Sequence, residues 1–156
     1  KQKTAYEMLR SLVGSEMCIR DRYLIGNVQI FEDSGLKIDT KNLYISHKAG
    51  DKKYKSKEET VYQSKDITIN SESGVDIDMN LQLTNLLGKV EVLTSTGGVL
   101  KSSNVLIDKS NGGEVLKSNS YTHFKSNTVD IKAKKMHYDA ITKKLELMNK
   151  VVAIYE

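Results

Sequence analysis

The chain of 156 residues contains no proline, no tryptophan and one cysteine, Cys18. A single thiol supplies neither a disulfide framework nor a zinc site built from several cysteines. Without proline, no strand is marked by that residue as the edge of a sheet. No apolar run approaches the roughly 18 residues that indicate a membrane-spanning helix. The fold therefore has to be inferred from the pattern of apolar and polar residues.

The segment 1–22 differs in pattern from the rest of the chain. It reads KQKTAYEMLRSLVGSEMCIRDR, contains the cysteine, and leans towards helix from Tyr6 to Leu12. This stretch closely resembles the translated read-through of a sequencing-library adaptor, so we interpret residues 1–22 as a non-native fusion and leave it out of the fold argument. An ordinary N-terminal helix is the alternative. On the fusion interpretation, the authentic N-terminus is missing and one domain spans residues 23–156.

The charge of residues 23–156 is nearly balanced. They keep 19 basic and 17 acidic side chains, because five of the 24 basic and three of the 20 acidic residues lie in segment 1–22. The resulting net charge of +2 is small, whereas a nucleic-acid-binding domain is expected to carry a concentrated basic patch. The sequence therefore argues against a nucleic-acid partner.

An internal repeat runs through the same region. The motif at Gly26–Ile30 (GNVQI) recurs at Gly88–Val92 (GKVEV), an offset of 62, and again at Asn149–Ala153 (NKVVA), a further offset of 61. Late in the unit the offset falls from 62 to 61, so that Val75 corresponds to Met136. A one-residue slip inside a strand would exchange its two faces, so we expect the slip to lie in a connection between strands.

Alternation of apolar and polar residues dominates from Tyr23 onward, and helical periodicity is nearly absent. The alternation predicts ten strands, at 24–31, 36–46, 60–69, 75–83, 89–94, 99–108, 115–125, 129–138, 144–148 and 151–155. Glycine-containing turn signals separate them, at Gly35, Gly50, Gly74, Gly97 and Gly112. Each strand has one apolar and one polar face. This pattern predicts an all-β open sandwich or jellyroll of two repeat units, with free edge strands at both ends.

The sequence shows no constellation of catalytic residues. His47, His123 and His137 fall in different strands without the spacing of a metal site, and a solvated or hydrogen-bonded histidine is the preferred interpretation. No phosphate-binding glycine loop, nucleophile elbow or Ser/His/Asp order is present. We therefore predict that the protein is not an enzyme and has no metal or cofactor.

Two charged stretches have ordinary explanations. Asp76, Asp78 and Asn80 begin like a calcium loop, but Leu81 stands where that loop requires glycine and Leu87 stands where it requires glutamate. Alternation explains the stretch better, with the polar side chains facing water and Leu81 facing inward. The lysine-rich segments 52–55 and 132–135 could contact phosphates, but a solvated strand face or loop is the preferred interpretation.

The repeated unit also resembles a known family. It joins a Gly-x-Val-x-Val strand to an alternating strand that contains Asn-Leu-Tyr at 42–44 or Met-His-Tyr-Asp at 136–139. This combination is similar to the OstA-type unit of the LptA/LptC family of lipopolysaccharide export, and the resemblance covers residues 23–156. Segments 86–92 and 122–126 resemble the LptC branch more than the LptA branch. Asn149, in place of the repeated glycine, departs from the pattern.

The resemblance implies a periplasmic β-jellyroll that holds the acyl chains of lipopolysaccharide between its apolar faces. It implies lipid received near the N-terminal edge from an inner-membrane ABC transporter complex, and a C-terminal edge that pairs with the next bridge jellyroll through backbone hydrogen bonds. It also implies a Gram-negative periplasm and a membrane tether in a segment missing from this chain. The predicted lipid-binding interior consists of Val28, Ile30, Ile38, Leu43, Ile45, Ile67, Ile69, Ile77, Leu81, Val90, Val92, Val105, Ile107, Val129, Ile131, Tyr138 and Leu147. The predicted partner edge consists of Val151, Val152, Ala153 and Ile154.

A structural or adhesive surface repeat is the alternative function, because an apolar stripe in a β-sandwich is commonly just its core. The two hypotheses differ in the interior of the sandwich. A groove open at both ends favours lipid transport, whereas a core packed shut favours the surface repeat. Only two phenylalanines and seven tyrosines follow position 22, so we expect a mainly aliphatic interior.

Overall fold

The computed structural model describes residues 21–48 and 50–155. These residues form sixteen strands and no helix, which confirms the predicted all-β class. The strands are β1 Asp21–Leu24, β2 Val28–Phe31, β3 Lys37–Thr40, β4 Leu43–Lys48, β5 Asp51–Ser56, β6 Thr60–Gln63, β7 Ile67–Ser71, β8 Val75–Asp78, β9 Leu83–Thr94, β10 Val99–Asp108, β11 Val115–Ser118, β12 Thr122–Lys125, β13 Val129–Ala133, β14 Lys135–Asp139, β15 Lys144–Met148 and β16 Val152–Tyr155. The predicted helical tendency of 6–12 lies outside the described residues, whereas Asp21 and Arg22 already belong to β1.

The strands form one open antiparallel sheet that folds into two layers. We call layer one the strands β1-β4-β5-β8-β9-β10-β11-β14-β15, in spatial order. Layer two contains β2-β3-β6-β7-β9-β10-β12-β13-β16, as the remaining strand pairings show. The two long strands β9 and β10 belong to both layers, so the layers are continuous where these strands cross from one to the other.

We call this crossing side of the sandwich the seam. Strand β9 crosses at Gly88, which has a φ of +72°, and its amide donates to Asn104 Oδ1 of β10 at 2.9 Å. In the first repeat, the Gly26 amide donates to Asn42 Oδ1 at 3.1 Å in the same way. The chain changes layers at each of these points. The predicted strands 24–31 and 36–46 are therefore wrong in their extent, because each is split where it passes the seam.

Buried hydroxyl clusters bind the two layers along the seam. In the first repeat, Thr40 Oγ1 lies 2.8 Å from Ser56 Oγ and 3.0 Å from Thr60 Oγ1. The same cluster recurs one repeat interval later, with Ser102 Oγ 2.9 Å from both Ser118 Oγ and Thr122 Oγ1. Because these hydroxyls satisfy one another, they can be buried at little cost. The sequence repeat is therefore a repeat of hydrogen-bonded structure.

The remaining boundaries differ from the predicted ones at the turns. The predicted strands 60–69, 115–125 and 129–138 are each divided in two at the seam or at a hairpin. The lysine-rich segment 52–55 lies within β5, a strand that was absent from the predicted ones, and Tyr54 and Ser56 of β5 are buried. The offset between the repeats falls from 62 to 61 between β7 and β8 of the first repeat, which correspond to β13 and β14 of the second. Three residues separate β7 from β8, whereas Lys134 alone separates β13 from β14. The change of offset therefore lies in a connection between strands, as predicted.

The core is a single cluster of aliphatic side chains with a few tyrosines, drawn from both layers and both repeats. Each end of the sandwich has two edge strands, and each of these pairs with one neighbour. Strands β1 and β2 lie at the N-terminal end, and β15 and β16 lie at the C-terminal end. The described sheet is therefore open at both ends, as predicted.

Candidate functional site

A cavity of about 500 Å³ lies between the two layers on the side opposite the seam, which we call the open side. Leu36 and Ile38 form its wall in layer two, and Ile77 and Met79 form its wall in layer one. These walls exist because alternation turns one face of β3 and of β8 inward. The cavity therefore has buried apolar side chains in its walls and opens to solvent beside the hairpin turns that flank these strands.

The rim of the cavity is polar. It includes Asp78 from the end of β8 and three residues from turns, Glu32, Lys65 and Lys109. Asp78 Oδ1 also stops its own strand, because it accepts hydrogen bonds from two amides of the following turn, at 3.1 Å and 3.0 Å. An apolar pocket with a charged entrance suits a molecule that has a hydrocarbon part and a polar part.

A larger and shallower groove of about 880 Å³ lies on the outer face of layer two, beside the seam. Its lining includes the charged side chains of Glu72, Lys89, Glu91 and Lys101, together with His123. Apart from Glu72, which follows β7, these side chains lie on β9, β10 and β12, so charged groups surround the groove. The cavity between the layers is therefore the better candidate for binding hydrocarbon.

Polar side chains join the two layers beside the cavity. Glu114, which precedes β11 in layer one, accepts hydrogen bonds from Tyr62 Oη and, at 2.9 Å, from Ser64 Oγ, both in layer two. Lys143 Nζ of layer one lies 2.6 Å from Asp66 Oδ1 of layer two. We call these five residues the latch. Ser64 and Glu114 also line the cavity, so the latch forms one of its boundaries.

Two buried tyrosine hydroxyls lie in or near the latch. Tyr62 is fully buried, and burial raises the pKa of its phenol far above the ordinary value, with the Glu114 carboxylate raising it further. Its hydroxyl is therefore a permanent donor. Tyr138 is also buried, and its hydroxyl has no hydrogen-bond partner among the described residues. Burial raises the pKa of Tyr138, and the charges of Lys143 and Asp66 also act on it, which places this hydroxyl near the latch.

The structure buries most of the residues predicted to form the interior. Buried are Val28, Ile30, Ile38, Leu43, Ile45, Ile67, Ile69, Ile77, Val90, Val92, Val105, Ile107 and Tyr138, while Val129, Ile131 and Leu147 are half-buried. The prediction that Leu81 faces inward is wrong. Leu81 is 59% exposed, because the chain leaves β8 after Asp78 and enters a turn capped by that carboxylate.

Two of the predicted interior residues, Ile38 and Ile77, line the cavity. The other buried ones belong to the core between the layers, whereas Leu81, Val129 and Ile131 lie outside the core cluster. Leu36, Met79 and Glu114 were missed. Leu36 and Met79 continue the alternation of β3 and β8 by one step, so the sequence contained a signal for them. Nothing in the sequence distinguishes Glu114 from other surface glutamates.

The histidines and acidic residues do not assemble into a reactive site. His123 Nε2 lies 2.7 Å from Asp130 Oδ1 on the neighbouring strand. Burial, with a smaller effect of Lys52, lowers the pKa of His47, and His47 Nε2 is buried without a partner among the described residues. Across 21–48 and 50–155, no three histidine, cysteine or acidic side chains are grouped as metal ligands would be.

The two ends of the sandwich expose apolar side chains. At the C-terminal end, Val151, Val152, Ala153 and Ile154 are all exposed, and β13 is the one described strand that pairs with β16. At the N-terminal end, Tyr23, Ile25 and Phe31 are exposed. The predicted partner edge is therefore located on an exposed edge strand, and its pairing with another chain stays a prediction.

Comparisons with known proteins give no assignment. Neither a scan against protein-family models nor a search of curated proteins finds a match to this chain. In the part of the chain that the structure describes, no helix has the length and apolar character to cross a membrane. The functional argument therefore depends on the fold, the cavity and the residues around it.

Proposed function

We propose that this domain binds acyl chains of lipopolysaccharide between its two layers and relays the lipid across the periplasm. The supporting observation is the apolar cavity between the layers of a sandwich whose ends are open. In this proposal an inner-membrane ABC transporter complex delivers the lipid, and a second jellyroll receives it. The resemblance of the repeat to the LptA/LptC family suggests the lipid and the partners.

Hydrocarbon burial supplies a large driving force for such a site. Each methylene that leaves water contributes about 0.8 kcal/mol, so an acyl chain of about 12–14 carbons gains roughly 10 kcal/mol. The cavity of about 500 Å³ lies within the size range of small-molecule sites. Most other interior side chains pack closely, so accommodating several chains requires the layers to separate.

The domain acts as a passive conduit in this proposal. The free energy of an acyl chain in an apolar groove is close to that in a bilayer, so the groove removes a barrier without setting a direction. The ATP-driven transporter supplies the direction. Edge strand β16, with its exposed apolar side chains, would join the next jellyroll by backbone pairing and continue the apolar interior across the junction.

A structural or adhesive surface repeat is the second candidate, and the close packing of the interior favours it. Ile69, Val92, Val105 and Ile107 are fully buried between the layers. In this candidate the packed core holds the layers together and no ligand is required. The cavity and its polar rim are the features that this candidate leaves unexplained.

Photo-crosslinking distinguishes the two candidates. A photoreactive amino acid at Ile38 faces the cavity, whereas one at the next residue, Asp39, faces away from it on the same strand. Incubation with purified lipopolysaccharide and illumination should give a lipid adduct at Ile38 and little at Asp39. Equal labelling at both positions, or labelling at neither, would contradict lipid binding between the layers and support the surface repeat.

A further inference from the structure

The two layers are joined differently on the two sides of the sandwich. On the seam, strands β9 and β10 are continuous through both layers. On the open side, the hydrogen bonds and ion pairs that we find between the layers, in 21–48 and 50–155, all go to two carboxylates, Glu114 and Asp66. Lys109 Nζ of layer one also lies 5.5 Å from the centre of the Tyr62 ring. The polar contacts on the open side are therefore made by side chains that can exchange their partners for water.

These contacts occur once and do not follow the repeat. At an offset of 62, Lys52 corresponds to Glu114 and Phe124 corresponds to Tyr62. Neither can reproduce the hydrogen bond between Tyr62 and Glu114. The latch joins layer two of the first repeat to layer one of the second, so it lies near the middle of the sandwich and at the boundary of the cavity.

We propose that the latch is a lateral gate, which holds the layers closed beside the cavity and has to open for an acyl chain to enter or move past it. This inference rests on the proposed function, because it describes how the same interior admits its ligand. The seam would act as the hinge, since β9 and β10 tie the layers together there. On opening, water would solvate Glu114, Asp66 and the unpaired hydroxyl of Tyr138.

The closed state has features that suit a gate rather than a permanent fastening. The ion pair between Asp66 and Lys143 is about one-third exposed on both sides, so its charges stay close to water. Glu114 lies on the rim of the cavity. The buried hydroxyl of Tyr138 has no described partner in the closed state, and such a group costs free energy until it is hydrated.

A reversible crosslink tests this gate directly. Ser64→Cys and Glu114→Cys, introduced together after Cys18→Ser, allow a short bis(methanethiosulfonate) reagent to tie the layers together at the latch. Glu91→Cys with Lys101→Cys is the matched control, because this pair lies on neighbouring strands of one layer and its side chains already form a 3.6 Å ion pair. Uptake of a fluorescent fatty acid with a dodecanoyl chain is then followed in the full chain.

We expect the latch crosslink to slow uptake about tenfold or more, cleavage with dithiothreitol to restore it, and the control crosslink to leave it unchanged. An unchanged rate in the latch-crosslinked protein would overturn the gate while leaving lipid binding in place. Absence of fatty-acid binding in every reduced variant would instead overturn the proposed function and, with it, the gate.

A second pair of variants tests the gate without a crosslink. Lys143→Ala removes the ion pair with Asp66, whereas Lys144→Ala, its neighbour, removes a pair with Glu146 on the same strand of layer one. We expect Lys143→Ala to accelerate uptake about threefold and Lys144→Ala to have no effect. Equal rates for the two variants would contradict a gating role for the Asp66 contact.

Discussion

The two layers are joined both at the seam and on the open side, but through different kinds of contact. The seam uses continuous strands and buried hydroxyl clusters, and it does so twice, with every cluster member shifted by one repeat interval. The open side uses carboxylates near solvent, and it does so once. The comparison indicates that the repeat maintains the permanent connection, whereas the unique contacts lie where the layers can part.

The largest effect is expected from a glycine on the seam. A Cβ at Gly74, whose φ is +105°, would lie 2.1 Å from the backbone oxygen of Ser56. Backbone atoms cannot move aside as a flexible side chain can, so Gly74→Ala should lower the free energy of unfolding by about 3 kcal/mol or more. Urea unfolding followed by circular dichroism measures this. The matched control is Gly97→Ala, where the added Cβ meets nothing within 4 Å; an equal loss there would show that φ alone sets the cost.

The hydroxyl clusters should have equal energetic roles in the two repeats. Thr40→Val removes the central hydroxyl of the first cluster and Ser102→Ala removes that of the second. Each leaves buried hydroxyls short of a partner, so each should cost about 1–3 kcal/mol. Thermal unfolding of both variants checks this. A large cost in one repeat and none in the other would show that the seam is not equivalent in the two halves.

Removing Glu114 should lower the free energy of unfolding by a smaller amount, and the loss should depend on whether Tyr62 is present. Glu114→Ala leaves the buried Tyr62 hydroxyl without its acceptor, which should cost about 2 kcal/mol. After Tyr62→Phe the same substitution should cost less, because the donor is already gone. Denaturant unfolding of the two single variants and the double variant gives the coupling free energy. Additive losses would indicate that the Tyr62 contact contributes nothing to closing the open side.

The smallest effect is expected at Asp108, which should contribute a loss of folding stability in acid. Hydrogen bonds from Ser110, and to a lesser degree from Lys117, lower the pKa of Asp108 from 3.8 to about 2. Because the folded pKa is the lower one, this contribution is present above about pH 4 and is lost as the pH falls towards 2. We expect about 1 kcal/mol, since the side chain is near solvent. Asp108→Asn should flatten the unfolding free energy over this range, and an unchanged slope would contradict the assignment.

The sequence contained enough information for the class of fold but not for its turns. Alternation located the inward faces of β3, β7 and β8, because a strand that is half buried has to alternate. It failed at Leu81, where Asp78 binds the following amides and stops the strand while apolar residues continue to alternate. The layer change at Gly88 was also missed. Its signal was present, since a glycine and an asparagine recur sixteen residues apart in both repeats.

The latch was beyond prediction from the sequence. Tyr62 and Glu114 are 52 residues apart and lie in different layers, so their contact depends on how the layers face each other. Their repeat counterparts, Phe124 and Lys52, are of different residue types, so the repeat gives no signal for the contact. Contacts of this kind follow from tertiary structure, whereas alternation and repetition report on single strands and single units.

Strands β9 and β10 have a consequence for the mechanics of the whole molecule. Since each takes part in the ladders of both layers, neither repeat possesses a complete set of strands when taken alone. In the described sheet, strands β1–β8 are connected to strands β11–β16 only through this central pair. The two repeats are therefore expected to unfold together in one cooperative transition. A single proteolytic cut within β9 or β10 would destabilise both repeats.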